Sequence, residues 1–367
     1  MCSRDGLSST APRGRFFLPG PVEVAPDVLA ALTRPMISHL GPDMAGILAR
    51  VQPRLQRIFR TSRPVLTATS SATGLLEGAI RAGVEHRVLV AVGGYFGERL
   101  ARIAEACGKE VIRVMVPEGR TIEADHLARF LEGPDVDAVA LVHSETSTGA
   151  LAPLEELAAE VRRHGDIALL VDAVSSVGAI PVETDAWGLD FIGIGSQKAL
   201  ALPPGLAFGV ASPRLMERAR RQSARGWYFD LLLLEDAARE NRPTQTPAIP
   251  LLFALDQQLA RIEAEGLEAR WTRHAELASM VARWCDARPG CALLAPPGRR
   301  SWTVSAIRTG TSARGVVERL ARDGWSVAPG LPPLQDAVIR VGHMGEVRPA
   351  DLEGLLESLA AVIPISG

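Results

Sequence analysis

From about Pro64 onward, short apolar runs alternate with amphipathic segments, and this alternation limits the chain to an α/β architecture on a largely parallel sheet. The runs at 65–69, 87–92, 110–114, 136–143, 167–172, 191–194 and 206–211 have the length and composition of strands. Helices are expected over 74–82, 98–107, 124–131 and 154–164. After Pro250 the pattern changes. Residues 251–285 form a long helical stretch broken around Gly266, then come strand-like 302–308 and 338–341, a helix over 312–323 and a closing helix over 349–362. A chain of 367 residues exceeds one ordinary core. The reading is therefore a large domain over 16–250 and a smaller C-terminal α+β domain over 251–367, which the N-terminal segment joins.

In an open α/β sheet, ligands bind beyond the carboxyl ends of the strands. At those ends the chain places small residues opening a helix (Ser70-Ser71-Ala72-Thr73-Gly74), two aromatics between glycines (Gly93-Gly94-Tyr95-Phe96-Gly97), a hydroxyl-rich turn (Ser144-Glu145-Thr146-Ser147-Thr148-Gly149), Asp172, and Gly195-Ser196-Gln197-Lys198. Each has an ordinary reading as an N-cap, a turn or a core ring. Lys198 is harder to read that way. Of 40 basic residues only Lys109 and Lys198 are lysine, so this chain makes little use of lysine as a surface cation. An amine can deprotonate and form an imine with a carbonyl, whereas a guanidinium stays charged. A helix start offering N–H groups suits a phosphate, an aromatic face suits a planar ring, and a carboxylate suits a pyridine nitrogen. Together with an imine-forming lysine, these are the requirements of pyridoxal phosphate, whose protonated ring withdraws electrons from a substrate carbanion.

Composition narrows the classes further. The chain is 47% hydrophobic and 22% charged with a formal charge of -2, the profile of a soluble globular protein with no basic patch for nucleic acid. No apolar run is long enough to cross a membrane. Met1 to Arg15 lacks the apolar core of a secretory signal, and Pro364-Ile365-Ser366-Gly367 is not a peroxisomal signal. Cys2, Cys107, Cys285 and Cys291 show no metal-type spacing and read as reduced thiols, so no metal site is expected and the location expected is the cytoplasm. Gly93-Gly94-Tyr95-Phe96-Gly97 lacks the GxGxxG spacing of a dinucleotide-binding turn.

From Phe17-Leu18-Pro19-Gly20-Pro21 to Ile339-Arg340-Val341-Gly342-His343-Met344-Gly345, the chain resembles the class V aminotransferases of PLP fold type I, most of all the alanine–glyoxylate and serine–glyoxylate (serine–pyruvate) group. Its strongest motif is Gly195-Ser196-Gln197-Lys198 with Pro203-Pro204-Gly205, supported by Val171-Asp172-Ala173-Val174-Ser175-Ser176. The resemblance implies that Lys198 forms the Schiff base and shuttles the proton, that Asp172 pairs with the pyridine nitrogen, and that Val174 packs beneath the ring. Ser71, Ala72 and Thr73 with Gln197 would cradle the phosphate, Phe96 would stack on the ring, and Thr146 would bond near the phenolic oxygen. Thr246 would reach a phosphate across a homodimer with shared active sites. Arg340 would bind the substrate α-carboxylate, and Gly20 would line the substrate pocket. Ala72 stands where relatives often have glycine, Phe96 where tryptophan or tyrosine is common, and His39-Leu40 departs from a His-Arg pair. The function expected is transfer of an amino group from alanine or serine to glyoxylate or pyruvate by a ping-pong cycle. The alternatives are a 2-aminoethylphosphonate transaminase, a cysteine desulfurase or related class V lyase, and a non-catalytic protein on this fold.

Overall fold

The structure, a computed structural model, describes residues 14–363. Cys2, nearly all of the Met1–Arg15 segment and the Pro364–Gly367 tail lie outside the described residues. In chain order the elements begin with α1 (Pro26–Ala31), α2 (Pro42–Phe59), β1 (Leu66–Ala68), α3 (Ala72–Gly83), β2 (Arg87–Val92), α4 (Tyr95–Ala106), β3 (Glu110–Met115), α5 (Ala124–Leu131) and β4 (Ala138–Val142). A short hairpin of β5 (Ser144–Glu145) and β6 (Ala150–Leu151) precedes α6 (Leu154–Arg163), β7 (Ala168–Asp172), β8 (Phe191–Gly195) and β9 (Ala207–Ala211). Then follow α7 (Pro213–Arg221), α8 (Leu231–Arg239), α9 (Ile249–Glu265) and α10 (Leu267–Asp286). The chain closes with β10 (Ala292–Leu293), β11 (Val304–Arg308), α11 (Ala313–Arg322), β12 (Ala328–Pro329), β13 (Val338–Gly342) and α12 (Pro349–Val362).

Seven strands form the main sheet in the order β1-β9-β8-β7-β4-β2-β3. The five from β8 to β3 run parallel, and β9 is antiparallel to both β8 and β1. The central strands are apolar on both faces, as a sheet covered on both sides requires. One face packs against α2, α5, α6 and α9 through residues such as Leu55, Leu127, Leu157 and Phe253. The other packs against α3, α4, α7 and α8 through Leu75, Leu100, Leu215 and Leu234. Strand order reverses at β2, with β3 on one side and β4 on the other, so the loops after β2 and β4 diverge and open a crevice.

The second sheet, β10-β11-β13-β12, is antiparallel and carries its own core of Leu277, Ile307, Leu320, Ile339 and Leu355. Phe17 enters that core against Trp325. The long helical stretch breaks at Gly266, whose φ of +81° is left-handed and ends α9. α9 packs with the main-sheet core, while α10 supplies the second. Sequence patterning passes over α1, α2, α7 and α8, although Met44, Ile47, Leu48, Val51, Leu55 and Ile58 of α2 keep helical spacing and are buried.

Candidate functional site

Residues at the carboxyl ends of β1, β2, β4, β7 and β8 line one cavity of about 180 Å³. Ser71, Ala72, Thr73, Phe96, Thr146, Asp172, Val174, Gln197 and Lys198 all face it, so every cofactor-binding residue expected from sequence except Thr246 is brought together. Thr246 is exposed on the segment leading to α9, and its own chain does not carry it to this cavity.

One end of the cavity is built from α3. Ser71 is its N-cap, in extended conformation, and its side chain caps no N–H. A helix leaves its first N–H groups without intrahelical partners and carries positive partial charge there. The opening of α3 therefore offers anion-directed donors into the cavity. The preceding loop is held from outside. Tyr228 donates to Thr69 O at 3.1 Å, Ala248 N–H donates to Thr69 Oγ1 at 3.1 Å, and the Phe229 ring lies where a side chain at Gly74 would stand. Within the Trp227-Tyr228-Phe229-Asp230 segment, Tyr228 and Phe229 thus buttress the loop, while Trp227 stays exposed.

At β2 the helix starts at Tyr95 rather than Glu98, because a distant side chain caps it. The buried Glu145 carboxylate accepts from the N–H groups of Phe96 (3.1 Å) and Gly97 (3.0 Å) and from Ser147 Oγ (2.5 Å). Ser147 Oγ in turn accepts from Tyr95 N–H at 3.0 Å. This turns α4 so that Phe96, Arg99, Leu100 and Ile103, at helical spacing, face the cavity. Arg99 lies over the Phe96 and Tyr95 rings, 5.0 and 5.2 Å from their centroids. Sequence reading missed both Arg99 and Glu145. The i, i+3 offset of Arg99 from Phe96 was the available signal for the first. Nothing local marked Glu145 as a cap.

Asp172 ends β7, and its Oδ1 accepts from Val174 N–H at 3.0 Å. Burial pushes its carboxyl up to about 6, against the lowering effect of that bond. Lys198 follows β8 in a turn whose Ser196 Oγ donates to Pro203 O (2.7 Å) and accepts from Leu206 N–H (3.2 Å). Burial pulls the Lys198 amine down to about 8; Asp172 raises it and Arg340 lowers it. Its Nζ donates to Pro19 O and lies 6.0 Å from the Phe96 ring centroid. Thr146 Oγ1 bonds Ser175 Oγ at 2.7 Å. Arg340, buried on β13, donates from Nε to Pro329 O at 2.9 Å, with Nη1 3.5 Å from Thr146 O. Burial lowers its pKa.

Gly20 adjoins the lysine. A Cβ there would stand 2.6–2.8 Å from Lys198 Cδ, Cε and Nζ, and its φ of +112° disfavours any L side chain. Gly20→Ala is expected to cost about 1–3 kcal/mol of stability through backbone strain and to displace the amine. Thermal melting and cofactor occupancy, read together, check both parts.

These residues fit pyridoxal phosphate. Gln197 lines the cavity with its Oε1 unpartnered among the described residues; that oxygen can only accept, so it is the amide N–H of Gln197 that could donate to a phosphate. The α3 N–H groups could donate to a phosphate, and Asp172 has an oxygen to offer a ring nitrogen. The lysine amine is close enough to neutrality to act as a nucleophile.

Known proteins point the same way. The family profile "Aminotransferase class-V" matches residues 68–348. A Synechococcus protein named soluble hydrogenase, small subunit, is 33% identical over 96% of this chain and 93% of its own length. The L-aspartate–glyoxylate aminotransferase of Paracoccus denitrificans is 32% identical over 91% of this chain and 87% of its own. The crystal structure of an alanine–glyoxylate aminotransferase from Nostoc sp. matches with a TM-score of 0.90 at 32% identity, over 95% of each chain. With the match covering most of its length and a lysine, a carboxylate and a helix N-terminus around one cavity, the chain belongs to the class V aminotransferases: it is a PLP-dependent transaminase of fold type I.

Proposed function

We propose that this transaminase moves the amino group of a small L-amino acid, alanine or serine, to glyoxylate or pyruvate in two half-cycles on one site. The observation that carries this reading is the buried Lys198 amine, on which the Asp172 carboxylate and the Arg340 guanidinium both act electrostatically. When bound, pyridoxal phosphate supplies the electron sink that lets a Cα–H bond ionise. The chain's residues do the rest. Ser71, Ala72, Thr73 and Gln197 hold the phosphate, Phe96 and Val174 hold the ring faces, and Thr146 bonds near the phenolic oxygen. Asp172 keeps the ring nitrogen protonated. Arg340 fixes the α-carboxylate as a two-pronged ion pair, and Gly20 leaves room beside the amine. Lys198, pulled toward neutrality, moves a proton between the substrate Cα and the cofactor. Its depressed pKa predicts a rate that falls as pH drops below about 8.

Arg340→Gln is expected to raise KM for the amino acid about 100-fold with a smaller change in kcat, since a buried charged partner of the carboxylate is lost. Steady-state kinetics at saturating keto acid check it.

A second reading, an acidic or phosphonate donor, is favoured by Arg99. It faces the cavity and pairs with no carboxylate among the described residues. The desulfurase reading is disfavoured. Burial raises the pKa of Cys107, Cys285 and Cys291, Cys285 to about 12, and none lines the cavity. The hydrogenase name belongs to the Synechococcus relative, and the site residues here are those of amino transfer.

The same proposal includes a homodimer with shared sites, Thr246 reaching the partner's phosphate. Leu40 and Trp227, 80% and 79% exposed, support a covering partner. It includes a cytoplasmic location, which the free cysteines support; among the described residues no helix is long and apolar enough to cross a membrane. It also includes the division into 16–250 and 251–367, which the two separate sheets and cores support, while α9, inside the second span, packs with the first core.

The test is the visible absorption spectrum of the PLP-loaded protein before and after L-alanine, L-serine, L-aspartate or 2-aminoethylphosphonate. Bleaching of the lysine-dependent band by alanine or serine, reversed by glyoxylate or pyruvate, is the expected result. Response to aspartate or the phosphonate alone contradicts the small-donor assignment and favours Arg99 as an anion anchor.

A further inference from the structure

The turn that carries Lys198 is tight. Ala201 N–H donates to Lys198 O at 2.8 Å and Leu202 N–H to Ser196 O at 3.1 Å. Ala201 sits there at φ +51°, a left-handed conformation that a side chain disfavours, and it is fully buried. Such a conformation persists only when its surroundings over-determine it.

Those surroundings include Arg270 on α10, a guanidinium with no solvent exposure. Its Nη2 donates to Ala199 O at 2.6 Å, and its Nε donates to Gly178 O at 3.1 Å. Its Nη1 donates to Glu265 Oε2 at 2.6 Å and lies 3.4 Å from Glu346 Oε1. Glu346 lies just beyond β13, the strand that carries Arg340. Gln258 and Arg261 of α9 also bond Glu346, at 2.9 and 3.0 Å. Burial works against the ionised Glu346, yet Arg270, Gln258 and Arg261 hold its carboxyl down to about 2. Its neighbour Gly345 packs on the lysine turn so closely that a Cβ would stand 3.2 Å from the Ala201 Cβ. One planar fork thus joins the carbonyl next to Lys198 to the segment that continues from Arg340. A lysine ammonium cannot span these directions.

We propose that Arg270 is a positioning residue, holding the strained Lys198 turn in register with the Arg340 strand so that amine and carboxylate-binding guanidinium keep a fixed separation. The inference rests on the roles proposed for Lys198 and Arg340. Arg273 is the built-in control. It donates to Glu265, Gly345 O and Val347 O, and unlike Arg270 it makes no bond to a carbonyl of the lysine turn itself.

The test compares Arg270→Lys with Arg273→Lys. In cofactor-free protein, Arg270→Lys should speed hydrogen exchange at the Ala201 and Leu202 amides about tenfold or more, by local opening. In loaded protein it should shift the pH midpoint of the lysine-dependent absorption band and lower kcat about tenfold or more, the scale of a small misplacement. Arg273→Lys should leave both the exchange and the midpoint at wild-type values and act on KM for the amino acid. A folded Arg270→Lys with unchanged exchange and midpoint, or equal changes in both variants, overturns the proposal. Should Arg270→Lys not fold, Glu265→Gln decides. It keeps Arg270 but weakens the hold on Nη1, and because Glu265 also accepts from Arg273, changes larger than those of Arg273→Lys support the clamp and changes no larger overturn it. A wild-type protein without the band would contradict the transaminase assignment, while the exchange result would still judge the clamp.

Discussion

Replacing Lys198 with alanine is expected to lower turnover about 10⁴-fold or more, because in the proposed cycle one side chain serves as both the imine nucleophile and the proton carrier. Lys198→Arg should fail as completely. It keeps a cation in the same buried place, but a guanidinium neither deprotonates nor forms the imine. That pair of variants separates chemistry from charge. The loss in Lys198→Ala does not reflect unfolding, and the sign of the pKa shift says why. The folded amine titrates at about 8, below the ordinary 10.5, so its stabilising contribution is present above the ordinary value and lost as pH falls through about 8. Near neutral pH the buried ammonium is therefore a burden on the cofactor-free fold, and Lys198→Ala is expected to melt no lower than wild type there. Calorimetry on cofactor-free protein, run beside steady-state kinetics, checks both halves.

Asp172→Asn should act in opposite directions on activity and on stability. Loss of a buried partner to the ring nitrogen is worth about 3–5 kcal/mol, so kcat should fall at least about 10²-fold. In the cofactor-free protein the carboxyl titrates at about 6, above the ordinary 3.8. Its contribution to stability is complete below the ordinary value and lost as pH rises through about 6. Asparagine cannot ionise and escapes that loss. Above pH about 6 the variant without cofactor should be the more stable by on the order of 3 kcal/mol, and the advantage should vanish near pH about 4. Denaturant unfolding across that range checks the sign. A variant less stable than wild type at every pH would show that Asp172 is held by its partners rather than strained by its burial. The burdens at Asp172 and Lys198 together describe a site that cofactor binding relieves.

Residues whose chemistry matches their place at a strand end were legible in the chain. Asp172 and Lys198 follow apolar runs that become β7 and β8, and the cradle at Ser71 opens the helix after β1. The structure puts them on one cavity because the adjacent strands β8, β7, β4 and β2 end there, with the loop after β1 beside them. What escaped depends on contacts between distant segments. Glu145 caps α4 from 48 residues away, so neither its role nor the true start of the helix has a local signature. Arg270 reads as one arginine among 38, and only the approach of α10 to Ala199 and Glu346 gives it a function. β10 and β12 are two residues each, too short to show alternation. Thr246 waits on a neighbour that a single chain does not supply.

The most direct test of amino transfer follows the nitrogen itself. L-alanine or L-serine carrying isotope-labelled nitrogen is incubated with the PLP-loaded protein and unlabelled glyoxylate, and the products are read by mass spectrometry. The account predicts labelled glycine together with the keto acid of the donor, in equal amounts, and neither product with Lys198→Ala. Label released as ammonium, or glycine left unlabelled while the donor is consumed, would contradict it.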